Sequence, residues 1–176
     1  LFYFDYGDFK IFGSSPEAQL IVEDGLAEIH PIAGTYKRTG DYEKDEILAE
    51  NLKNDDKENA EHVMLVDLAR NDLSRHGSQV NVDTYREVQF FSHVIHLVSK
   101  VTGQKHDTTS TMQVVADTFP AGTLSGAPKH RAMQLIEDYE KTSRAFYGGA
   151  IGFMDFHGNF NHAIMIRTFL SKDYKL

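Results

Sequence analysis

Residues 56–73 read DKENAEHVMLVDLARNDL, the clearest helical segment of the chain. On a helical wheel at about 100° per residue, Met64 and Leu65 fall on one apolar arc that predicts the packed face. Glu58, Glu61 and Asp72 fall on the same arc, with Glu61 near its centre. A buried carboxylate needs a cation or a proton. A carboxylate on the packed face of this helix would therefore need such a partner.

Glu58 and Glu61 are the candidate metal ligands of this helix. Their i, i+3 spacing brings two carboxylates to one point. Oxygen ligands of this kind suit Mg²⁺, which takes few protein ligands and keeps waters or substrate oxygens. The alternative is an exposed helix start, where acidic residues are favoured by the helix dipole. The wheel alone leaves both interpretations open.

Strand-like and helical segments flank this helix without regular alternation. The Asp24-Gly25 pair predicts a hairpin, and residues 31–35 predict a turn. Since strands and helices do not alternate strictly, the pattern favours an α+β fold with largely antiparallel sheets and helices packed outside. The predicted strands cover residues 8–13, 18–22, 28–30, 79–82, 87–91, 94–101, 150–156 and 163–170, and the other predicted helices cover residues 42–53, 110–117 and 127–141.

The composition is that of an ordinary globular domain of 176 residues, with 41% hydrophobic and 25% charged residues. A net charge of -8 argues against a nucleic-acid partner. With no cysteine, disulfides and thiolate metal sites are excluded. No apolar run approaches the roughly 20 residues of a membrane span. The start lacks an initiator Met and a leader, so we expect an internal piece of a larger, cytoplasmic gene product.

Two further polar residues lie in apolar segments. The run 163–170 predicts a strand buried on both faces, and Arg167 in its middle would need an anion. That anion could be a ligand or an internal carboxylate, and both remain open. His96 shares a strand face with Val94 and Val98; such a histidine is more often a hydrogen-bonded core residue than an acid or base.

Two glycine-rich segments offer backbone N–H groups and hydroxyls at turns, namely Ala33-Gly34-Thr35 and the segment 121–126. The second leads into the predicted helix 127–141, whose N-terminus is a potential anion site. Neither segment matches a nucleotide-binding motif, so a nucleotide ligand is not expected.

Seven blocks of the sequence together resemble one family, the chorismate-utilising enzymes and above all anthranilate synthase component I. Their order and spacing agree with the family from about residue 11 to the end. The resemblance implies that residues 1–176 form part of a chorismate-binding catalytic domain, an α/β sandwich. The blocks are SPE at 15–17, PIAGT at 31–35, KENAEHVMLVDLARND at 57–72, SHVIHLVS at 92–99, FPAGTLSGAPK at 119–129, YGG at 147–149 and IRT at 166–168.

The resemblance implies a reaction in which chorismate loses its ring hydroxyl, gains ammonia and eliminates pyruvate to give anthranilate. Glu58 and Glu61 would be half of a Mg²⁺ site that holds the ring carboxylate of the substrate. Glu17 and His96 would be the acid–base pair, with protonation of the departing hydroxyl as the expected task.

The resemblance also implies which residues bind the substrate. Arg167 and Tyr147 would hold the enolpyruvyl carboxylate. Gly34, Thr35 and Thr123 would orient the ring and its carboxylates. A glutamine amidotransferase subunit that delivers ammonia is the implied partner.

The position of Ala33 decides between members of the family. Relatives that make aminodeoxychorismate typically carry lysine there, whose amine is a nucleophile. Ala33 offers none, which favours anthranilate synthase over aminodeoxychorismate synthase; a non-catalytic anion-binding module is the other alternative. The family continues beyond Leu176 with a second pair of metal-binding glutamates, and it has a further N-terminal region. We therefore expect this chain to be inactive alone.

Overall fold

The computed structural model describes residues 1–173 and 175–176. Strands and helices follow one another without a repeating βαβ order. The strands are β1 (Phe2–Asp5), β2 (Phe9–Gly13), β3 (Ala18–Glu23), β4 (Leu26–Ile29), β5 (Ile32–Lys37), β6 (Gly77–Phe90), β7 (Val94–Lys105), β8 (Ala150–Met154), β9 (Phe160–Ile164) and β10 (Thr168–Lys172). The helices are α1 (Tyr42–Lys53), α2 (Asp56–Ser74), α3 (Thr111–Thr118) and α4 (Lys129–Tyr139), with a 3₁₀ turn at Gly122–Leu124.

The strands form two antiparallel sheets. The larger sheet has the order β5-β7-β4-β3-β9-β8, and β6 also pairs with β7. The smaller sheet has the order β1-β2-β10. The Asp24-Gly25 hairpin forms as predicted, with both residues at positive φ, as a two-residue type I′ connection requires. Antiparallel sheets with separate helices confirm the predicted α+β class.

Helix α2 lies on the larger sheet and closes the main core. Asp55 caps it by accepting a hydrogen bond from the Glu58 backbone N–H at 3.0 Å. Its buried Val66 and Leu73 belong to the same core cluster as Leu20 and Val101 of the sheet. Full burial of each such side chain stabilises the fold by roughly 1.5–3 kcal/mol. Because these residues hold one face of α2 against the sheet, they determine which way the other side chains of the helix point.

The packed face of α2 differs from the predicted one. Glu61, placed at the centre of that face by the wheel, is exposed, and Met64 is exposed as well. His62 is fully buried instead, with Nε2 2.6 Å from the Ser99 hydroxyl. Consecutive residues of a helix point about 100° apart. Because His62 points into the core, the adjacent Glu61 points away from it. Glu58 remains half-buried.

The prediction of one buried strand over residues 163–170 is also wrong. β9 ends at Ile164 in the larger sheet, and β10 begins at Thr168 in the smaller sheet. Arg167 lies between them, exposed and at φ +50°. The apolar run is continuous because the chain passes from one sheet to the other, with Met165 buried at the crossing.

The predicted turn at residues 31–35 is a strand instead. Residues 32–37 form β5, and a bulge at Gly34 shifts the register against β7. Gly34 has φ +83°, a conformation that glycine adopts without a steric penalty.

Within the described residues, no helix combines the length and apolarity that a bilayer span requires.

Candidate active site

Glu17 and Thr123 meet beside a small cavity. Glu17 immediately precedes β3, and the Thr123 hydroxyl donates to its Oε2 at 3.3 Å. The cavity has a volume of about 60 Å³, and its wall also includes His30 and Asp72. Thr123 belongs to the 3₁₀ turn, which lies against α2: a Cβ on Gly122 would be 2.4 Å from Leu68 Cδ2. Glycine at this position therefore lets the loop carrying Thr123 approach the helix.

His96 is held by the bulge in β5. It lies opposite Thr35 in the β5–β7 register, with Nδ1 3.0 Å from the Thr35 hydroxyl and 3.3 Å from the Gly34 carbonyl oxygen. The carbonyl can only accept, so this bond places the ring proton on Nδ1. Nε2 then carries the lone pair and is the nitrogen able to accept a proton.

The same bulge lies close to the first turn of α2. A Cβ built on Gly34 would be 3.5 Å from Cβ of Glu58 and 3.1 Å from Leu52 Cδ1. The Tyr36 hydroxyl donates to the capping residue Asp55 at 3.0 Å, which attaches β5 to the helix start. Gly34, Thr35, His96 and Glu58 thus form one group.

Glu58 and Glu61 offer two oxygen donors on α2. The Glu58 side chain is 20% exposed and lies 3.6 Å from Lys57 Nζ, while Glu61 is exposed. Among the residues described, no group of three or more His, Cys, Asp or Glu side chains could enclose a metal ion. The donor chemistry still fits Mg²⁺, which is commonly held by one or two carboxylates with waters and substrate oxygens.

Tyr147 and Arg167 line a separate hollow of about 340 Å³. Backbone bonds fix the crossing between the sheets: Gly148 N–H donates to Met165 O at 3.0 Å, and Ser14 N–H donates to Arg167 O at 3.2 Å. Within the described part of the chain, Arg167 forms no salt bridge, and its side chain is exposed. A guanidinium in this hollow can bind a carboxylate through paired hydrogen bonds.

A buried salt bridge behind the Thr123 loop was not predicted. Lys129 Nζ lies 2.6 Å from Asp72 Oδ2 and 2.6 Å from the Thr118 carbonyl oxygen. Burial raises the pKa of Asp72, and the Lys129 ammonium opposes that rise. The wheel placed Asp72 on the packed face, but its partner lies 57 residues away, and helical periodicity cannot reveal such a pair.

Gln19 and His162 form a second buried polar pair missed in the sequence. His162 Nε2 lies 3.0 Å from Gln19 Oε1, and Gln19 Nε2 donates to Thr118 O at 3.1 Å. Gln19 lies between the apolar residues Ala18 and Leu20 in β3, and a polar residue in such a position usually faces outward. Gln19 and His162 are instead 6% and 1% exposed, so the polar pair is internal.

The family model for chorismate binding enzymes matches residues 1–176. The chain belongs to this family. It is 54% identical over 168 residues to anthranilate synthase component 1 of Mycolicibacterium smegmatis, covering 94% of the chain and 32% of that relative.

Two solved structures are similar to this member of the chorismate binding enzyme family. Anthranilate synthase component I from Streptococcus pneumoniae superposes with a TM-score of 0.90 at 43% identity, over 99% of the chain and 38% of that protein. The menaquinone-specific isochorismate synthase MenF of Escherichia coli, at 22% identity and a TM-score of 0.83 over 94% of the chain and 38% of its own, shares the fold. The chain spans about a third of the length of the curated relatives it matches. The resemblance seen in the sequence is confirmed.

Proposed function

We propose that this chain is part of the catalytic domain of an anthranilate synthase component I, which converts chorismate and ammonia to anthranilate and pyruvate in tryptophan biosynthesis. The observation that supports this proposal most strongly is the family match over residues 1–176, together with 54% identity to a protein named anthranilate synthase component 1. Because the chain spans about a third of its relatives, we propose that it requires further segments for activity. In this proposal a glutamine amidotransferase subunit supplies the ammonia.

The contacts of Glu17 and His96 support acid–base roles in this reaction. Glu17 would donate a proton to the departing hydroxyl through the carboxyl oxygen that Thr123 does not contact. The bonds at Nδ1 hold the His96 ring and leave Nε2 to take up or return a proton. Gly34 and Thr35 would then orient the substrate from the same bulge.

The remaining residues would bind the two carboxylates of chorismate. Tyr147 and Arg167 would hold the enolpyruvyl carboxylate in their shared hollow. Glu58 and Glu61 would hold Mg²⁺, which supplies positive charge for the ring carboxylate when bound. The hydrogen bond that the Glu58 backbone N–H donates to Asp55 keeps the first turn of α2 in place for this role.

Ala33 supports ammonia rather than a protein amine as the nucleophile. Its side chain is a methyl group, 6% exposed, in β5 beside the bulge. Without an amine at this position, the covalent route inferred for aminodeoxychorismate synthase is closed. Identification of the amino product by chromatography would separate the two enzymes.

The test is the fluorescence of anthranilate formed from chorismate, Mg²⁺ and ammonium. We expect product from a longer protein that contains these residues and none from residues 1–176 alone. In the longer protein, Glu61→Gln should reduce turnover more than 100-fold, because one carboxylate of the metal site is lost. Glu43→Gln, an exposed glutamate in the first turn of α1, is the matched control and should leave turnover unchanged. Full activity of residues 1–176, or of Glu61→Gln, would contradict the proposal.

A further inference from the structure

Two segments of the candidate site are joined by two hydrogen bonds. Residues 17–19 lie at the start of β3, and residues 118–123 run from the last residue of α3 to the 3₁₀ turn. Thr123 Oγ1 donates to Glu17 Oε2 at 3.3 Å, and Gln19 Nε2 donates to Thr118 O at 3.1 Å. The second bond is buried, since Gln19 is 6% and Thr118 2% exposed. Water cannot replace a buried bond, so it constrains the geometry more strongly than the exposed one.

The orientation of the Gln19 amide follows from its partners. The Thr118 carbonyl oxygen can only accept, so the NH₂ group of Gln19 faces it. Oε1 of Gln19 therefore faces His162, and the nitrogen at 3.0 Å, Nε2, must carry the proton. Nδ1 of His162 is buried without a hydrogen-bond partner among the described residues, which fits a lone pair better than an N–H.

Thr118 is also held from the side of α2. Lys129 Nζ donates to the same carbonyl oxygen at 2.6 Å and to Asp72 at 2.6 Å. Thr118 ends α3, and the loop to Thr123 starts there. One carbonyl oxygen thus fixes the start of the loop against β3 through Gln19 and against α2 through Lys129.

We propose that Gln19, oriented by the Nε2–H tautomer of His162, is a positioning residue that sets the Thr123 hydroxyl against the Glu17 carboxylate. This inference rests on the proposed function for the roles of Glu17 and Thr123, but the positioning itself is a property of the fold. Loss of the amide releases the start of the loop from β3. The acid then loses its hydrogen-bond donor, and the proton transfer slows.

The first test is hydrogen exchange in the Gln19→Met variant, which has a side chain of similar length without the amide. Backbone amides of residues 119–126 should exchange about fivefold to tenfold faster, while residues 42–53 of α1, which do not contact Gln19 or His162, should be unchanged. Gln134→Met on the exposed surface of α4 is the control and should alter neither segment. Unchanged exchange in residues 119–126, or an equal increase in both segments, would overturn the proposal.

The second test needs no variant. The ¹⁵N chemical shifts of the His162 ring should show the neutral tautomer with the proton on Nε2 at pH 7. A proton on Nδ1 instead would mean that Gln19 is not oriented as described, and it would refute the inference.

The third test joins positioning to the reaction. In a protein that forms anthranilate, Gln19→Met should lower kcat about tenfold and leave KM for chorismate within twofold, because the acid is displaced rather than the binding groups. Thr123→Val should lower kcat less in the Gln19→Met background than in the wild type. An unchanged kcat for Gln19→Met overturns the proposal. Absence of anthranilate from the wild type refutes the proposed function, while the exchange and tautomer results still decide the positioning.

Discussion

Acidification should destabilise the fold through His162. This residue of β9 is 1% exposed, and burial lowers its pKa from 6.5 to about 4. The unfolded chain takes up a proton near pH 6.5, whereas the folded protein resists it until about pH 4. Between these values the unfolded state binds more protons, so stability falls as the pH falls. The difference between a pKa of 6.5 in the unfolded chain and about 4 in the folded protein corresponds to about 3 kcal/mol of unfolding free energy, of which about 2 kcal/mol is lost by pH 5.

The assay compares urea unfolding of the wild type and His162→Gln at pH 7, 6 and 5. Glutamine keeps an N–H donor for Gln19 and does not titrate. Between pH 7 and pH 5 the free energy of unfolding of the wild type should fall by about 2 kcal/mol more than that of this variant. Other titrating groups cancel in this difference, including His62, whose pKa burial also lowers. The exposed His157→Gln is the control. A difference between wild type and His162→Gln that stays constant over this range would refute the reasoning.

Two further substitutions test the packing around the site. Gly152→Ala places a Cβ 2.0 Å from the Asn161 carbonyl oxygen, so β8 must move away from β9; we expect a loss of about 3 kcal/mol or more in chemical denaturation. Lys129→Met leaves the Asp72 carboxylate buried without its cation, and unfolding should become easier by about 3 kcal/mol. Adding Asp72→Asn to Lys129→Met should recover part of that loss, and a double variant less stable than the single one would contradict the ion-pair explanation.

The elements with local signals could be predicted from the sequence. The bounds of α1 agree with the prediction, and those of α2 agree within one residue, because each begins after a capping aspartate, Asp41 or Asp55. The first hairpin was predicted because Asp24-Gly25 suits a tight turn. In each case the decisive interaction lies within a few residues along the chain.

Elements that depend on distant partners were predicted less well. β6 is one strand of 14 residues, where the pattern indicated two shorter ones. Three register shifts against β7 interrupt its alternation, and these shifts depend on the partner strand. The packed face of α2 was misplaced for a similar reason: the bond from His62 to Ser99 spans 37 residues. The pattern of apolar residues along the helix does not predict a hydrogen bond to a residue this far away in the sequence.

For the candidate site, the family motifs named residues that periodicity could not place. Gly34, Thr35, His96 and Glu58 come together through a bulge, and Glu17 meets Thr123 across 106 residues. Glu61 was singled out because it was expected on the packed face, and the structure removes that argument. Its proposed role as a metal ligand now depends on the motif and on its exposed carboxylate next to Glu58.

The backbone conformation of Arg167 is consistent with its proposed role at a ligand site. A non-glycine residue at φ +50° costs on the order of 1 kcal/mol, and such strain persists only where the surroundings fix it. Two features fix it here: Ser14 N–H holds the Arg167 carbonyl, and the β9–β10 crossing anchors both ends of the segment. Strained residues of this kind concentrate at ligand sites. The exposed Arg167 side chain lines the same hollow as Tyr147, where an external carboxylate can reach it.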